Sequence, residues 1–383
     1  MSKKTKIFYL IERIARAGTE LHLLKLLSGL DRERYEPVLC VLNGQMSDPD
    51  LLPDDIRIHD LKAGWNLVRP SFVGVWRRLI AVLKEEQPDI LHSFLFVANA
   101  IGPFAARRAG VPFIIASRGR MGIEWDAGAM HRHLQAAADK RTDRILCKTT
   151  AMRDEILEYE KVAPEKIEIV PNGVDLSKFT LGRGGIYQQR LELQKDHGIK
   201  PDGPLILALG NLKPIKGHEV LLRSAPLLSQ RFKAYQIVIL GEGEARPELE
   251  NQIEKLRIGE HVKLPGKMDD VRAWMSAADL FAATSHSEGM PNAVLEAMAM
   301  ALPLVLSDIP GHREAAGEAA WYFEPRDAED LTETISRALS NPSERAERAS
   351  LGRRRIEEKF SLTVMVQRIA GIYEELVNRE SGS

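Results

Sequence analysis

Cysteine is almost missing from this sequence of 383 residues: only Cys40 and Cys147 occur. Both stand in strand-like apolar runs, Pro37 to Leu42 and Arg144 to Cys147. They read there as small buried hydrophobes, which argues against a disulfide framework or a cysteine metal site. Long apolar runs are missing too. No stretch of 18 or more apolar residues occurs, so no segment reads as a spanning helix. The apolar stretch near Met1 is too short for a secretory signal and leads directly into a strand. A charge excess of one sign is also absent. The net charge is -1; residues 1–180 carry 27 basic and 24 acidic side chains, and the remainder 26 and 30. That balance speaks against nucleic acid as a partner and allows only a mildly basic first half. Asp48-Pro49-Asp50 has the form of a metal-binding acidic pair, but with Asp54 and Asp55 it reads as a solvated loop. The expectation is a cytoplasmic protein that needs no metal or other cofactor.

What is present is alternation. In the first half, short apolar runs fall at 6–10, 38–42, 56–61, 89–92, 113–117, 144–147 and 166–170. Segments of helix length separate them, at 19–30, 72–86, 97–109 and 149–160. Continuous apolar strands alternating with helices imply a parallel sheet covered on both faces. The alternation pauses between Asp175 and Pro204, a stretch with Gly-Arg-Gly-Gly at 182–185, a Gln/Lys-rich helical piece and Pro201-Asp202-Gly203-Pro204, which reads as a linker with a domain boundary inside it. Pro171-Asn172-Gly173 just before it predicts a tight hinge turn with φ > 0. Alternation then resumes with strands at 205–209, 236–240, 262–264, 280–283, 303–306 and 320–323. Helices are expected at 217–228, 245–256, 271–277, 292–299, 327–339, 343–359 and 362–377. The fold class is therefore α/β: two Rossmann-like, doubly wound domains, each with ligand-binding loops at the carboxyl ends of its strands. Their expected bounds are 1–180 and 181–360, with a C-terminal helix in 361–383.

The sharpest motif lies at 285–299, Ser-His-Ser-Glu-Gly-Met-Pro-Asn-Ala-Val-Leu-Glu-Ala-Met-Ala. Pro291 suits a first helical turn, where its missing N–H costs nothing. Glu288 then precedes the helix and Glu296 lies on it, ~12 Å away by helical rise. Two carboxylates so placed grip two ends of one ligand rather than one atom. Between them the N–H groups of Gly289 to Ala293 offer an anion site at the helix start. A diphosphate with hydroxyl-bearing rings on both sides fits; a chance pair of surface glutamates fits the spacing equally well.

A second motif, Gly210-Asn211-Leu212-Lys213-Pro214-Ile215-Lys216-Gly217, also follows a strand and opens a helix. Lys216 there can reach phosphate oxygens, although a solvated lysine is the simpler reading. Gly241-Glu242-Gly243 is a turn, too short to be a dinucleotide fingerprint. In the first half, Gly18 allows close backbone approach to a ligand and Thr19 is placed to cap a helix. Ser117-Arg118-Gly119-Arg120 ends one strand, and His92 ends the strand before it.

Together these segments resemble the retaining GT-B glycosyltransferases that share an E-x7-E motif, the family 4-like, group 1 enzymes. The resemblance spans nearly the whole chain. It includes residues 17–20, EKIEIVPNGVDLSKF at 165–179, the 264–308 segment around Glu288 and Glu296, and Gly311 with Glu314. It implies two domains facing across a cleft, with the C-terminal helix crossing back to the first. The first domain would bind acceptor and the second the nucleotide sugar. It implies that Glu296 holds ribose hydroxyls and Glu288 the sugar's hydroxyls. Backbone from Gly289 through Met290 and Pro291 to Asn292 would meet sugar and diphosphate. Lys216 would neutralise the leaving nucleoside diphosphate, with Asn211, Gly18 and Thr19 also on the donor. Arg118 is expected as a further catalytic residue, and His92 and Arg118 on the acceptor side. Configuration at the anomeric carbon would be retained.

Three departures stand out: Asn211 replaces a usual Arg, Arg118 a usual His, and Ala301 a usual Gly. The last reads as a change of packing, and Lys213 is placed to stand in for the missing Arg. The expected activity is hexose transfer from a nucleotide sugar, UDP-linked in preference to GDP-linked, to a glycan or lipid-linked acceptor in cell-surface polysaccharide biosynthesis. The competing readings are a GDP-mannose-dependent mannosyltransferase, a non-catalytic nucleotide-sugar-binding protein, and a GT-B epimerase or phosphorylase. Phe72 to Ile80, with Trp76, Arg77 and Arg78, could bring a helix weakly against an anionic membrane at its inner face; an amphipathic helix buried by Trp76 and Leu79 is the alternative.

Overall fold

The computed structural model describes residues 3–15, 18–44, 52–63, 71–119, 129–179, 186–200 and 202–380. Asp48, Pro49, Asp50, Arg120 and the 182–185 segment lie outside the described residues. The chain divides into two compact units, Met1–Gly173 with Leu362–Ser383, and Val174–Ser361.

In chain order the first unit is β1 (Thr5–Ile11), α1 (Gly18–Gly29), β2 (Tyr35–Val41), β3 (Arg57–Asp60), α2 (Ser71–Glu86) and β4 (Ile90–Phe94). It continues with α3 (Phe96–Ala109), β5 (Phe113–Ser117), α4 (Ala129–Asp139), β6 (Arg144–Cys147), α5 (Thr150–Tyr159) and β7 (Ile167–Ile169). The strands pair in parallel in the order β3-β2-β1-β4-β5-β6-β7. The period of two along β1 explains both layers. Ile7, Tyr9 and Ile11 enter one core with Leu23 and Leu27 of α1. Phe8 and Leu10 enter the other with Val75, Leu79 and Leu83 of α2. Those last three are spaced four apart, the stripe a helix needs to bury one face. Trp76 is half-buried against the same core, as the amphipathic alternative expected.

The second unit starts with α6 (Ile186–His197), β8 (Leu205–Leu209), α7 (His218–Leu228), β9 (Gln236–Leu240), α8 (Arg246–Lys255) and β10 (Val262–Gly266). Then come α9 (Arg272–Ala277), β11 (Leu280–Ala283), α10 (Asn292–Ala299), β12 (Leu304–Ser307), α11 (Pro310–Ala316), β13 (Ala320–Phe323), α12 (Ala328–Ser340) and α13 (Pro342–Arg355). Its parallel order is β10-β9-β8-β11-β12-β13. The final helix, α14 (Leu362–Glu380), belongs to the first unit. Met365, Ile369, Ile372, Tyr373 and Leu376 seat it in the α1 core.

Two readings of the 171–204 stretch are corrected. Its described part is no linker: α6 packs into the second unit through buried Leu193, and Ile199 is fully buried. Arg190 donates to the carbonyls of Ala277 (2.9 Å) and Gly203 (3.0 Å) and ion-pairs with Asp279. The unit begins at Val174, ahead of the expected boundary at 180. Nor does Pro171-Asn172-Gly173 form a turn of positive φ, since neither Asn172 nor Gly173 has one. Gly173 is needed for close approach instead: a Cβ there would lie 2.8 Å from the Leu362 Cα. Two helices, α4 and α11, were not anticipated from the sequence.

Candidate functional site in the second unit

In the order β10-β9-β8-β11-β12-β13 the chain reverses direction of growth between β8 and β11. Loops leaving these two strands diverge to opposite faces, which opens a crevice at their carboxyl ends. The two motifs read from the sequence occupy those two loops. They meet: the Lys216 ammonium ion-pairs with Glu288 Oε1, although 72 residues separate them. Ser285 Oγ donates to the same oxygen at 2.8 Å. The ion pair is partly open to solvent, with side chains 26% and 15% exposed. Neither partner is locked away from a ligand.

Backbone packing brings these loops together. Gly217 has φ +61, and a Cβ on it would come 2.1 Å from the Thr284 carbonyl oxygen. The His286 N–H donates to the Ile215 carbonyl at 2.8 Å, and Thr284 Oγ1 donates to the Lys216 carbonyl at 3.2 Å. From the other side α11 presses in at Gly311, where a Cβ would meet the Glu288 carbonyl oxygen at 2.4 Å. Glu288 is thereby held from two directions.

Behind it runs a buried relay that the sequence reading missed. His312, fully buried, has Nδ1 at 2.9 Å from the Ser307 carbonyl oxygen, so that nitrogen carries the proton. Ser307 Oγ donates to the Ser285 carbonyl at 2.6 Å. Ser285 in turn holds Glu288. His218 is buried on the Lys216 side. Burial depresses both histidines, to about 4 in each case, and the nearby Lys216 charge pushes the same way. Both are neutral at pH 7. A lone His in the first turn of a helix is the only sequence signal either leaves.

The anion site expected at 289–293 has its frame. α10 starts at Asn292, and Pro291 is its N-cap (φ -81, ψ 98) rather than part of its first turn. A proline cap has no side-chain acceptor, and Pro291 makes no capping bond. Its first N–H groups and the positive end of its dipole are therefore suited to an anion. Met290 is buried and anchors the loop, while Glu296 lies half-buried on the helix. Asn211 and Lys213 are exposed on the β8 loop. Its backbone is tied to the 241–243 turn by the Leu212 N–H, which donates to the Glu242 carbonyl at 2.9 Å.

The first-unit candidates fare differently. Gly18 begins α1, so Thr19 lies inside the first turn and is not its cap. The Thr19 hydroxyl packs against Gly119, where any side chain would collide with it. His92 is corrected from an acceptor-side residue to an interior one. It is fully buried, with Nδ1 bonded to Tyr373 Oη (2.7 Å) and Nε2 to Ser117 Oγ (2.8 Å). Burial holds it neutral, well below the usual histidine range. Arg118 is likewise corrected from a catalytic and acceptor-side residue to a structural one. Its guanidinium, 3% exposed, bonds Asp139 Oδ1 at 2.7 Å and Glu160 Oε2 at 3.2 Å. Both bonds are made by Nη2, which ties the guanidinium to the ends of α4 and α5. Among the described residues no three His, Cys, Asp or Glu are grouped as metal ligands, and no helix is long and apolar enough to cross a membrane.

Residues 189–355 match the glycosyl transferases group 1 family, and residues 16–178 match glycosyltransferase family 4. The chain is similar to a UDP-Gal:α-D-GlcNAc-diphosphoundecaprenol α-1,3-galactosyltransferase of Escherichia coli, at 27% identity over 76% of this chain and 79% of that one. It is similar to a D-inositol 3-phosphate glycosyltransferase of Thermomonospora curvata, at 27% identity over 74% and 71%. In fold it is similar to Anabaena HepE, crystallised in complex with UDP, with TM-score 0.82 at 18% identity over 97% and 100% of the two chains. With the two matched regions covering both Rossmann-like units, the chain belongs to the group 1, family 4-like glycosyltransferases of GT-B fold.

Proposed function

We propose that this chain transfers a hexose from a nucleotide sugar, UDP-linked in preference to GDP-linked, to a glycan or lipid-linked acceptor, with retention and without a metal. The Lys216–Glu288 pair at the switch point, beside the proline-capped start of α10, carries this reading. The UDP-bound and UDP-glucose-bound HepE structures and the diphosphoundecaprenol acceptor named for the Escherichia coli relative support the substrate classes. The same acceptor class supports a role in surface polysaccharide assembly.

The donor would exchange partners with the pair. Its diphosphate takes the Lys216 ammonium and the α10 N–H groups, which releases Glu288 to accept hydrogen bonds from sugar hydroxyls. Glu296, further along the helix, would take the ribose hydroxyls. As the glycosidic bond breaks, negative charge grows on the leaving diphosphate, where the ammonium and helix dipole already point. These groups supply what a divalent cation would otherwise supply. Same-face attack, with the departing phosphate taking the acceptor's proton, would retain configuration.

Calorimetry with UDP, GDP and ADP tests the donor, with UDP expected tightest. Absence of binding by all three would end the proposal. Lys216→Ala is expected to lower kcat by ~10²–10³-fold while the fold is kept. A donor-hydrolysis assay separates turnover from binding alone, EDTA should leave the rate unchanged, and NMR of the product reads the anomeric configuration.

A further inference from the structure

The charged side chains buried in this protein have partners, with one exception among the described residues. Glu20 pairs with Arg13, Glu86 with Arg57, Arg118 with Asp139, Arg144 with Glu375, and Arg190 with Asp279. Lys148 is only 4% exposed, and no described carboxylate pairs with it. An unpaired buried ammonium is costly, and the cost is relieved only by losing the proton or gaining an anion.

The surroundings favour the anion. Lys148 directly follows β6, at the carboxyl edge of the first unit's sheet, where doubly wound sheets bind ligands. It immediately precedes Thr149, the N-cap of the ten-residue α5, and so lies by the positive end of that helix. Lys25 of α1 adds a second positive charge to the same region, with its ammonium held on the Gly173 carbonyl at 2.9 Å. His22, one turn earlier, is buried, and its Nδ1 has no hydrogen-bond partner. Asn172 lies beside His22. Two lysines, a histidine, an amide and a helix start make a set of donors with no described carboxylate at its centre. Burial, with Lys25 adding its repulsion, brings the Lys148 amine down to about 7, so the cluster is short of negative charge.

We propose that Lys148, with Lys25 and His22 beside it, recognises a phosphate group in the first unit. The identity of the molecule bearing that phosphate rests on the glycosyltransferase reading: a phosphorylated acceptor or the donor's diphosphate. The phosphate chemistry itself does not.

Isothermal titration of the full chain with inorganic phosphate, and separately with UDP, tests this in wild type, Lys148→Met and Lys25→Met. Lys148→Met should weaken phosphate binding about tenfold or more. Its melting temperature should not fall, because a buried unpaired charge has been removed. Lys25→Met should weaken phosphate binding by a smaller factor. UDP affinity unchanged in Lys148→Met assigns the phosphate to the acceptor; a parallel fall assigns it to the donor, and either supports the site. Equal phosphate affinity in wild type and Lys148→Met, or no phosphate binding by wild type, overturns it. Should Lys148→Met not fold, unchanged phosphate affinity in Lys25→Met overturns it instead. Failure of wild type to bind UDP, GDP and ADP would sink the donor reading and leave the phosphate comparison standing.

Discussion

Ala301 follows α10 with φ +53, in the left-handed region that alanine rarely adopts. It takes the place after a helix where glycine is usual, because glycine has no Cβ to collide with the preceding carbonyl. Its departure from the family pattern is thus backbone strain, not the change of packing that residue identity alone implied. The strain costs ~1–2 kcal/mol, less the ~0.4–1 kcal/mol that glycine would lose through greater freedom when unfolded. Ala301→Gly is therefore expected to stabilise the second unit by about 0.5–1 kcal/mol. A lower urea midpoint would show that the strain is not there. Arg118 illustrates the opposite error, in which a charge at a strand end was read as catalytic. Arg118→Met would leave buried Asp139 and part-buried Glu160 without this cation, at a cost of ~3–5 kcal/mol. Denaturant titration should show that loss while kcat per folded molecule is kept; a kcat collapse with stability intact would restore a catalytic role.

Two loops and a helix start make the proposed donor-binding element, and their legibility was uneven. The β8 loop and the 285–299 segment were readable because strand, glycine, charge and helix follow one another within a few residues. That Lys216 and Glu288 touch was not readable, because it depends on β8 and β11 being neighbours, a property of sheet order. The His312–Ser307–Ser285 relay left no mark because hydrogen bonds to backbone carbonyls need no particular spacing. Lys148 escaped for a different reason: a lysine is read as exposed by default, and its burial appears only with the fold. Gly311 tests how far the element depends on close packing. Gly311→Ala places a Cβ 2.4 Å from the Glu288 carbonyl and 2.6 Å from that of Gly289. The loop must shift, and a displacement near 1 Å at a positioned group costs ~10²-fold in rate. Donor turnover should fall by roughly that factor while circular dichroism stays native; unchanged turnover would mean that the loop is not held by this contact.

At the scale of the molecule, alternation of apolar strands and helices was enough to give two parallel α/β units. The border was misplaced because Gly, Pro and polar residues across 175–204 mimic a linker. Among its described side chains α6 contributes Leu193 and Arg190 to the interior, too sparse a pattern to register as a core helix. Both units share one consequence of their burial. His22 and His92 in the first, and His218 and His312 in the second, are all held neutral by desolvation. An unfolded histidine titrates near 6.5. Below that pH the unfolded chain binds protons that the folded chain refuses, so stability falls with pH. For His218 and His312 the loss runs from about 6.5 down to about 4, below which it levels off. Glu86 works in a lower window. Its contacts with His59, Arg57 and Lys6 outweigh burial and bring it to about 2, so its contribution disappears only as pH falls from about 4.5 toward 2. Calorimetric melting should therefore show both units losing stability between pH 7 and 5, before the carboxylates take part. His312→Gln keeps a side-chain donor near the Ser307 carbonyl but cannot take up a proton, and should flatten that slope for the second unit. A melting temperature that stays level from pH 7 to 5 in wild type would mean that these histidines can accept protons without unfolding the protein, and that the burial assigned to them is not maintained in solution.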